Sequence, residues 1–594
     1  MIRLEHSQLL GKLNFIDQYI HAKNAADAST IDANANVTQK NLATMEQELM
    51  KDFFVQINRA KVSGKIAEIF GQSLADEYLR QIEAHEIYVH DETSLKPYCV
   101  SVTLYPFLRD GLTKLGGGES QAPQHLASFC GSFINLVFAI SSQFAGVVAT
   151  VEFLTYFDYF ARKDYGDNYL QTHQHEIANH LQQVVYSINQ PAAARGYQSV
   201  FWNISIYGRY YFNAMFGNFV FPDLTAPNWQ TTSALQDFFM QWFNQERTKA
   251  LLTFPVVTVA MLTENGECKD NDFADKMAKA LSEGNSFFIY QSDNPDSLAS
   301  CCRLRNEIAD HSFSYSLGAG GVATGSINVI TLNMNRLEQD GRDLVTEVGK
   351  IHQYQYAYRK LMEDYLKAEM LPVYDAGFIS LDKQFLTIGI NGMVEAAEFR
   401  GIKVGYNSEY IDFVRERLFA IYQANQTACK TYGVKFNTEF VPAENLGVKN
   451  AKWDREAGYV VPRECYNSYF YVVEDEQINA LDKFLLHGKA LVEYLDGGSA
   501  LHLNLEEALS QQSYRSLLDI AAKTGCNYFC INVKITLCNA CDHIDKRPLS
   551  QCSCCGSKDI DHATRVIGYL KRISSFSSAR QKEQALRHYH RQAA

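Results

Sequence analysis

From about residue 86 to residue 535, short apolar or β-branched runs alternate with longer stretches whose apolar positions recur every three or four residues. The short runs include YCVSVTLY, SVFWNISIY, TFPVVTVAM, SINVITLNM, FLTIGIN and NYFCINVKITL. Strands alternating with helices in this way build βαβ-type units, and so many of them predict a barrel or a large α/β core. No Pro/Ser-rich linker and no internal repeat breaks the pattern, and the chain of 594 residues has only 12 prolines. One large body is therefore expected rather than several beads. Residues 1–85 read differently, with helical periodicity in LATMEQELMKDFFVQI and KIAEIFGQSLADEYLRQIEA, and NAADASTIDANANVTQ (24–39) reads as a loop. The most apolar run, Phe129–Leu154, is broken by Asn135, Gln143 and Glu152, so it predicts a buried helix rather than a membrane span.

A net charge of -12 argues against a broad basic face for nucleic acid or anionic membrane, while leaving room for a phosphorylated small molecule in a local pocket. The N-terminal residues carry no apolar core of a secretion signal, so a soluble cytoplasmic protein is expected. Three Gly-rich stretches, LGGGES (115–120), LGAGGVATGS (317–326) and LDGGSA (495–500), lack the residues that cradle phosphates or dinucleotides and read as tight turns with positive φ.

Fourteen cysteines in a chain without a secretion signal point to metal, radical or redox chemistry rather than disulfides. Cys301 and Cys302 are adjacent, and five others crowd into 538–555. Cys538-x-x-Cys541 and Cys552-x-x-Cys555 are two knuckles that bring four thiolates together, the ligand count of a closed structural zinc site. Cys554 is left over, His543 reads as a surface residue, and free thiols or an iron–sulfur cluster are the alternatives. Ten residues beyond Cys555 begins RVIGYL (565–570), which alone would be a strand end containing a glycine.

A double-knuckle cysteine site followed by this hexapeptide resembles the anaerobic (class III, glycyl-radical) ribonucleotide reductases. DANANVTQKN (32–41), EIYVHDETSLKPYCVSVTLYPFLRDGL (86–112), SDNPDSLASCCRLRN (292–306), GSINVITLNMNRL (325–337), FLTIGINGMVEAAEFRG (385–401), FVPAEN (440–445), YLDGGSALHLNL (494–505) and the tail ISSFSSARQKEQALRHYH resemble further family segments in the family's order. The resemblance implies a ten-stranded α/β barrel of the glycyl radical enzyme/ribonucleotide reductase type. Its parts would be a helical N-terminal region (1–85), the barrel (86–535), a four-cysteine zinc site (536–560) and a glycyl radical loop with the tail (561–594).

It also implies roles. Gly568 would carry the radical, because a glycyl Cα radical is stabilised by the amides on both sides and has no side chain to twist it out of plane. Cys302, before Arg303, would form the thiyl radical that takes the ribose 3′ hydrogen. Adjacent side chains of a strand point to opposite faces, so Cys301 is assigned to packing. Cys99 would assist reduction at the 2′ carbon, and His90, Ser326, Asn328 and Glu444 are substrate-pocket candidates. Cofactors implied are the installed glycyl radical, Zn2+, and S-adenosylmethionine with a 4Fe-4S cluster on a separate radical-SAM activase. Partners implied are ribonucleotide substrates, nucleotide effectors, a second copy in a homodimer, and formate or a thioredoxin/glutaredoxin-type reductant.

Two departures stand out. Formate-using members commonly carry Asn where Ser326 stands, with Asn328 two residues on, which leaves room for a redoxin. Residues 1–90 lack the Lys-Arg-(Asp/Asn)-Gly signature of the family's ATP-cone, so a cone-less form is expected. The competing readings are a pyruvate formate-lyase-like acyltransferase, which would use adjacent cysteines, and an inactive homologue.

Overall fold

The computed structural model describes residues 4–29, 40–116, 120–192, 198–294, 297–299, 305–307, 323–440, 445–566 and 568–591. Four helices open the chain: α1 (His6–His21), α2 (Ala25–Ala28), α3 (Leu42–Phe70) and α4 (Gln72–Glu83). Asn41 caps α3, its side chain accepting from the Thr44 amide while the Thr44 hydroxyl accepts from the Asn41 amide. Val55, Val62 and Ile66 turn the buried side of α3 inward, and Gly71, at φ 97°, lets α4 start directly behind it. The stretch 24–39 expected to be a loop includes α2; residues 30–39 of it lie outside the described residues.

The strands follow in chain order. They are β1 (Ile87–Val89), β2 (Cys99–Ser101), β3 (Val148–Ala149), β4 (Trp202–Tyr207), β5 (Val256–Glu264), the short return β6 (Glu267–Cys268) and β7 (Phe288–Ser292). Next come a small antiparallel pair, β8 (Ser297–Ala299) and β9 (Arg305–Glu307), then β10 (Thr324–Asn333), β11 (Gln384–Asn391), β12 (Lys435–Phe440), β13 (Gly498–Ser499), β14 (Leu501–Leu505) and β15 (Tyr528–Val533). The run from β2 through β3, β4 and β5 to β7 is parallel, as is the run from β10 through β11 and β12 to β13, continued by β14 and β15. Antiparallel pairings join the two halves at both seams, β2 against β10 and β7 against β15. Only Ala500 separates β13, which pairs β12, from β14, which pairs β15. These two act as one interrupted stave, so the eleven strands of the path close a ten-stave α/β barrel.

The apolar run 129–154 is not one helix. A helix covers Leu126–Gln143 and buries Phe129, Phe133, Leu136 and Ile140; the chain then extends into β3, and a second helix begins at Phe153. Between them Gly146 passes close to the start of β2: a Cβ there would stand 3.0 Å from the Tyr98 carbonyl oxygen and 3.2 Å from Cys99 Sγ, so a side chain at this position would crowd the strand. The run NYFCINVKITL likewise splits at Lys534 into β15 and β16 (Ile535–Cys538). With β17 (Ile544–Asp545), β18 (Ile560–Arg565) and β19 (Leu570–Arg572), β16 forms a separate antiparallel sheet.

Candidate active site and cysteine cluster

β18 and β19 pair with Arg565 opposite Leu570, which leaves Val566–Tyr569 as the turn of a hairpin. Gly568 is buried at this tip. The flanks of the tip are tied to the barrel. Tyr569 sets its ring 5.2 Å edge-on to Phe201 and 5.7 Å from Phe254, the residues leading into β4 and β5. Arg565 is buried, donates to the Ser286 hydroxyl and, at 3.1 Å, to the Ser286 carbonyl, and lies over the Phe288 ring. The Arg565 carbonyl accepts from Asn532 of β15 at 3.2 Å, and the Val566 carbonyl accepts from Arg587 at 3.1 Å.

Cys99 begins β2, buried, with Ser326 of β10 directly across the antiparallel seam. Residues paired this way carry their side chains on one face, with Cβ atoms about 4.5–5.5 Å apart. Pairing also sets Val100 beside Val148 and Val148 beside Trp202. One residue earlier on each strand, Cys99, Val147 and Phe201 therefore share a level, and two strand spacings put Cys99 about 10 Å from Phe201. Phe201 is the ring that Tyr569 touches, so the glycine hairpin and Cys99 occupy the same end of the first half-barrel. Gly325 permits the seam: a Cβ there would lie 2.2 Å from the Cys99 carbonyl oxygen. It is a strand residue at a close approach rather than a turn glycine, which corrects the expectation for 317–326 in the part described.

A bulge between Ser326 and Asn328 re-aims this wall. The Ser326 hydroxyl meets the Thr387 hydroxyl at 2.8 Å and donates to the Asn328 carbonyl at 3.1 Å. Asn328 is buried, and its Oδ1 finds no partner among the described residues. His90 Nε2 lies 2.8 Å from the Thr331 hydroxyl, and the His90 amide donates to the Val329 carbonyl. The structure thus brings Cys99, Ser326 and His90 to one face of β10, while Asn328, paired with Leu386 where its neighbour Val329 pairs with Thr387, lies on the opposite face. Cys301, Cys302 and Glu444 lie outside the described residues; the first two fall between β8 and β9, in the chain that links the half-barrels.

Sequence reasoning missed the hairpin's holders, Asn532, Ser286 and Arg587, because they are distant in the chain and none is a cysteine or glycine of a motif. The environment around them is dry. Burial holds His502, between Cys530 and Tyr469, well below the usual histidine range, and pushes the Cys530 thiol up to about 12, so both stay neutral.

Sγ atoms of Cys538, Cys541, Cys552 and Cys555 all lie within 4.8 Å of one another, with Cys538–Cys555 at 3.6 Å and Cys541–Cys552 at 3.7 Å. Zinc–sulfur bonds of about 2.3 Å in a tetrahedron place sulfurs about 3.8 Å apart, so the set fits zinc. Amides of Ala540 and Cys554 donate to Cys538 and Cys552 sulfur, as they would to thiolates. Cys554 is exposed and stands outside the four, and His543 supplies a backbone carbonyl to Cys538.

The family model described as "Anaerobic ribonucleoside-triphosphate reductase" matches residues 46–590. The chain belongs to this family. It is accordingly an oxidoreductase that reduces ribonucleotides. Among solved structures it is similar to one titled "Anaerobic ribonucleotide reductase", at 26% identity and TM-score 0.86 over 99% of this chain and 93% of the other. It is also similar to the anaerobic ribonucleotide reductase from Thermotoga maritima in complex with dATP and CTP, at 26% identity and TM-score 0.82 over 99% of this chain and 100% of that one. A glycyl radical enzyme from Archaeoglobus fulgidus, at 11% identity and TM-score 0.55 over 97% of this chain and 89% of that one, shares the fold. No curated protein sequence matches.

Proposed function

We propose that the chain reduces ribonucleoside triphosphates to 2′-deoxyribonucleotides through a radical stored on Gly568 and passed to Cys302. The observation that carries this reading is the seating of Gly568 at a buried hairpin tip, at the same end of the half-barrel as Cys99. A buried tip shields a carbon-centred radical from oxygen and water. Cys302 would take the 3′ hydrogen of the ribose, a reversible step because S–H and ribose C–H bonds are close in strength. The 2′ hydroxyl leaves as water, Cys99 supplies a hydrogen at the reducing face, and the 3′ hydrogen returns from Cys302. Two electrons must then come from formate or a dithiol redoxin. The Ser326 hydroxyl is engaged by Thr387 and the Asn328 backbone, so His90, on the same face of β10 as Cys99, is the better placed to meet substrate hydroxyls, whereas Asn328 pairs with Leu386 on the opposite face.

Cys538, Cys541, Cys552 and Cys555 would hold zinc with no open ligand position, which gives it a structural role under the hairpin. The radical requires a separate radical-SAM activase with its iron–sulfur cluster and S-adenosylmethionine. Nucleotide effectors and a homodimer belong to the same reading, the former supported by the dATP and CTP in the Thermotoga maritima structure.

The test is anaerobic EPR after incubation with activase, S-adenosylmethionine and reductant, followed by a deoxyribonucleotide assay. Wild type should show a carbon-centred doublet that Gly568→Ala lacks, and Cys302→Ser should keep the doublet and lose turnover. A doublet that survives in Gly568→Ala, or turnover by Cys302→Ser, would overturn the assignment.

A further inference from the structure

We infer that Arg587, charge-matched by Glu583, is the positioning residue that seats the Gly568 turn; this rests on the reading of Gly568 as the radical site. After β19 the chain forms a helix, Ser578–Leu586, and then runs along the barrel, with the His588 amide donating to the Val473 carbonyl and the His590 amide to the Asn504 carbonyl of β14. Arg587 sits between these anchors, 5% exposed, and its Nη2 donates to the Val566 carbonyl at 3.1 Å, two residues before Gly568. The same guanidinium holds Glu583 through Nε at 2.7 Å and Nη2 at 3.1 Å, and Glu583 also accepts from Arg580 at 3.2 Å. All three side chains are buried.

A guanidinium is held in such a place only by its partners, because desolvation of an unpaired buried charge costs several kcal/mol. Glu583 supplies the opposite charge and fixes the planar fork, and the Tyr469 ring lies 5.6 Å from the guanidinium carbon. One donor is thereby aimed at the Val566 carbonyl as a charge-assisted hydrogen bond, stronger than a neutral one. On the other flank the Arg565 carbonyl is held by Asn532. The turn is gripped at the two successive carbonyls that precede Ile567–Gly568, and the Arg587 grip comes from the C-terminal tail rather than the barrel wall. The tail therefore fixes where the glycine sits.

The experiment loads wild type, Arg587→Gln, Arg587→Lys, Glu583→Gln and Gly568→Ala with the activase under the conditions above. It reads spins per chain, doublet splitting and anaerobic half-life, with zinc content and thermal melts beside them. Losing a hydrogen bond to a charged donor should lower spin yield or half-life roughly tenfold or more in Arg587→Gln. Arg587→Lys, which keeps charge and one donor, should recover most of it, with zinc content unchanged in both. Glu583→Gln should fall between, since it leaves Arg587 charged and unmatched. Wild-type spins, splitting and half-life in a folded, zinc-loaded Arg587→Gln would overturn the inference, as would Arg587→Lys losing as much as Arg587→Gln. If Arg587→Gln does not fold, Arg587→Lys and Glu583→Gln are judged by the same spectra: near-wild-type yield in Glu583→Gln overturns the pairing. A doublet persisting in Gly568→Ala, or none in wild type, instead removes the Gly568 reading and this inference with it.

Discussion

Glu152 interrupts an apolar run, and its surroundings show why a carboxyl survives there. It is fully buried beyond β3, where one oxygen accepts from the Leu104 amide at 2.7 Å and from the Thr103 hydroxyl at 3.2 Å. Its other oxygen has no partner among the described residues. Burial outweighs those two bonds and pushes the carboxyl up to about 7. The unfolded chain loses this proton near pH 4.3, so between there and about pH 7 the unfolded state ionises while the folded state does not. Folding stability therefore falls as pH rises through that window and levels off above it, by up to about 3 kcal/mol. Glu152→Gln should raise the melting temperature at pH 8 and leave it nearly unchanged at pH 4.5. Equal effects at both pH values would show that packing, not ionisation, sets the cost. At this scale the sequence was legible where chemistry demands a residue type, as in the four cysteines whose sulfurs gather into one cluster. Arg587 was not, because its partner Val566 contributes only a backbone carbonyl, and any residue type offers one.

The element that carries Gly568 is a small sheet with little apolar core of its own: Leu537, Ile544, Ala563 and Leu570 are its buried cluster. So small a core cannot hold a hairpin in one register unaided. β16 ends at Cys538, paired with Ile560 at the start of β18, and β18 leads straight into the Gly568 turn. Metal bound by the four cysteines would thus clamp the base of the hairpin whose tip holds the glycine. Cys538→Ala should lose zinc and speed amide hydrogen exchange across β16–β19 by at least about tenfold, with the β4 and β5 amides unaffected. Retained zinc, or unchanged exchange, would show that the sheet stands without it. The paired cysteines and RVIGYL were legible at this scale because each is local. The run 129–154 was misread because a strand buried on both faces is as apolar as a buried helix, and the close approach of Gly146 to Cys99 Sγ involves a segment nearly fifty residues earlier.

The whole molecule is two parallel half-barrels that meet only antiparallel, at β2–β10 and β7–β15. Alternation of strand and helix made the α/β class legible; the closure was not, because it depends on a stave interrupted at Ala500 and on pairings between residues as far apart as Phe288 and Cys530. The termini are joined by contacts of the same long range: Asn24 donates to the carbonyls of Ser574 and Phe576, and Asp27 accepts from Ser578. A barrel has no edges, whereas half of one has two. Residues 1–294 alone would expose β2 and β7 along their full lengths, and both are buried in the closed form. That fragment should therefore associate or aggregate rather than unfold as a cooperative monomer, as read by sedimentation velocity and thermal melting. Coexpression with residues 295–594 should return a 1:1 complex, since each half presents the edges the other lacks. A monomeric, cooperatively folding 1–294 would mean that the first half is a domain in its own right, with the seams only docking surfaces. The shared level of Cys99 and Phe201 would survive in such a fragment, but its opposition to Ser326 would not, and the pocket would then be assembled only when the two halves meet.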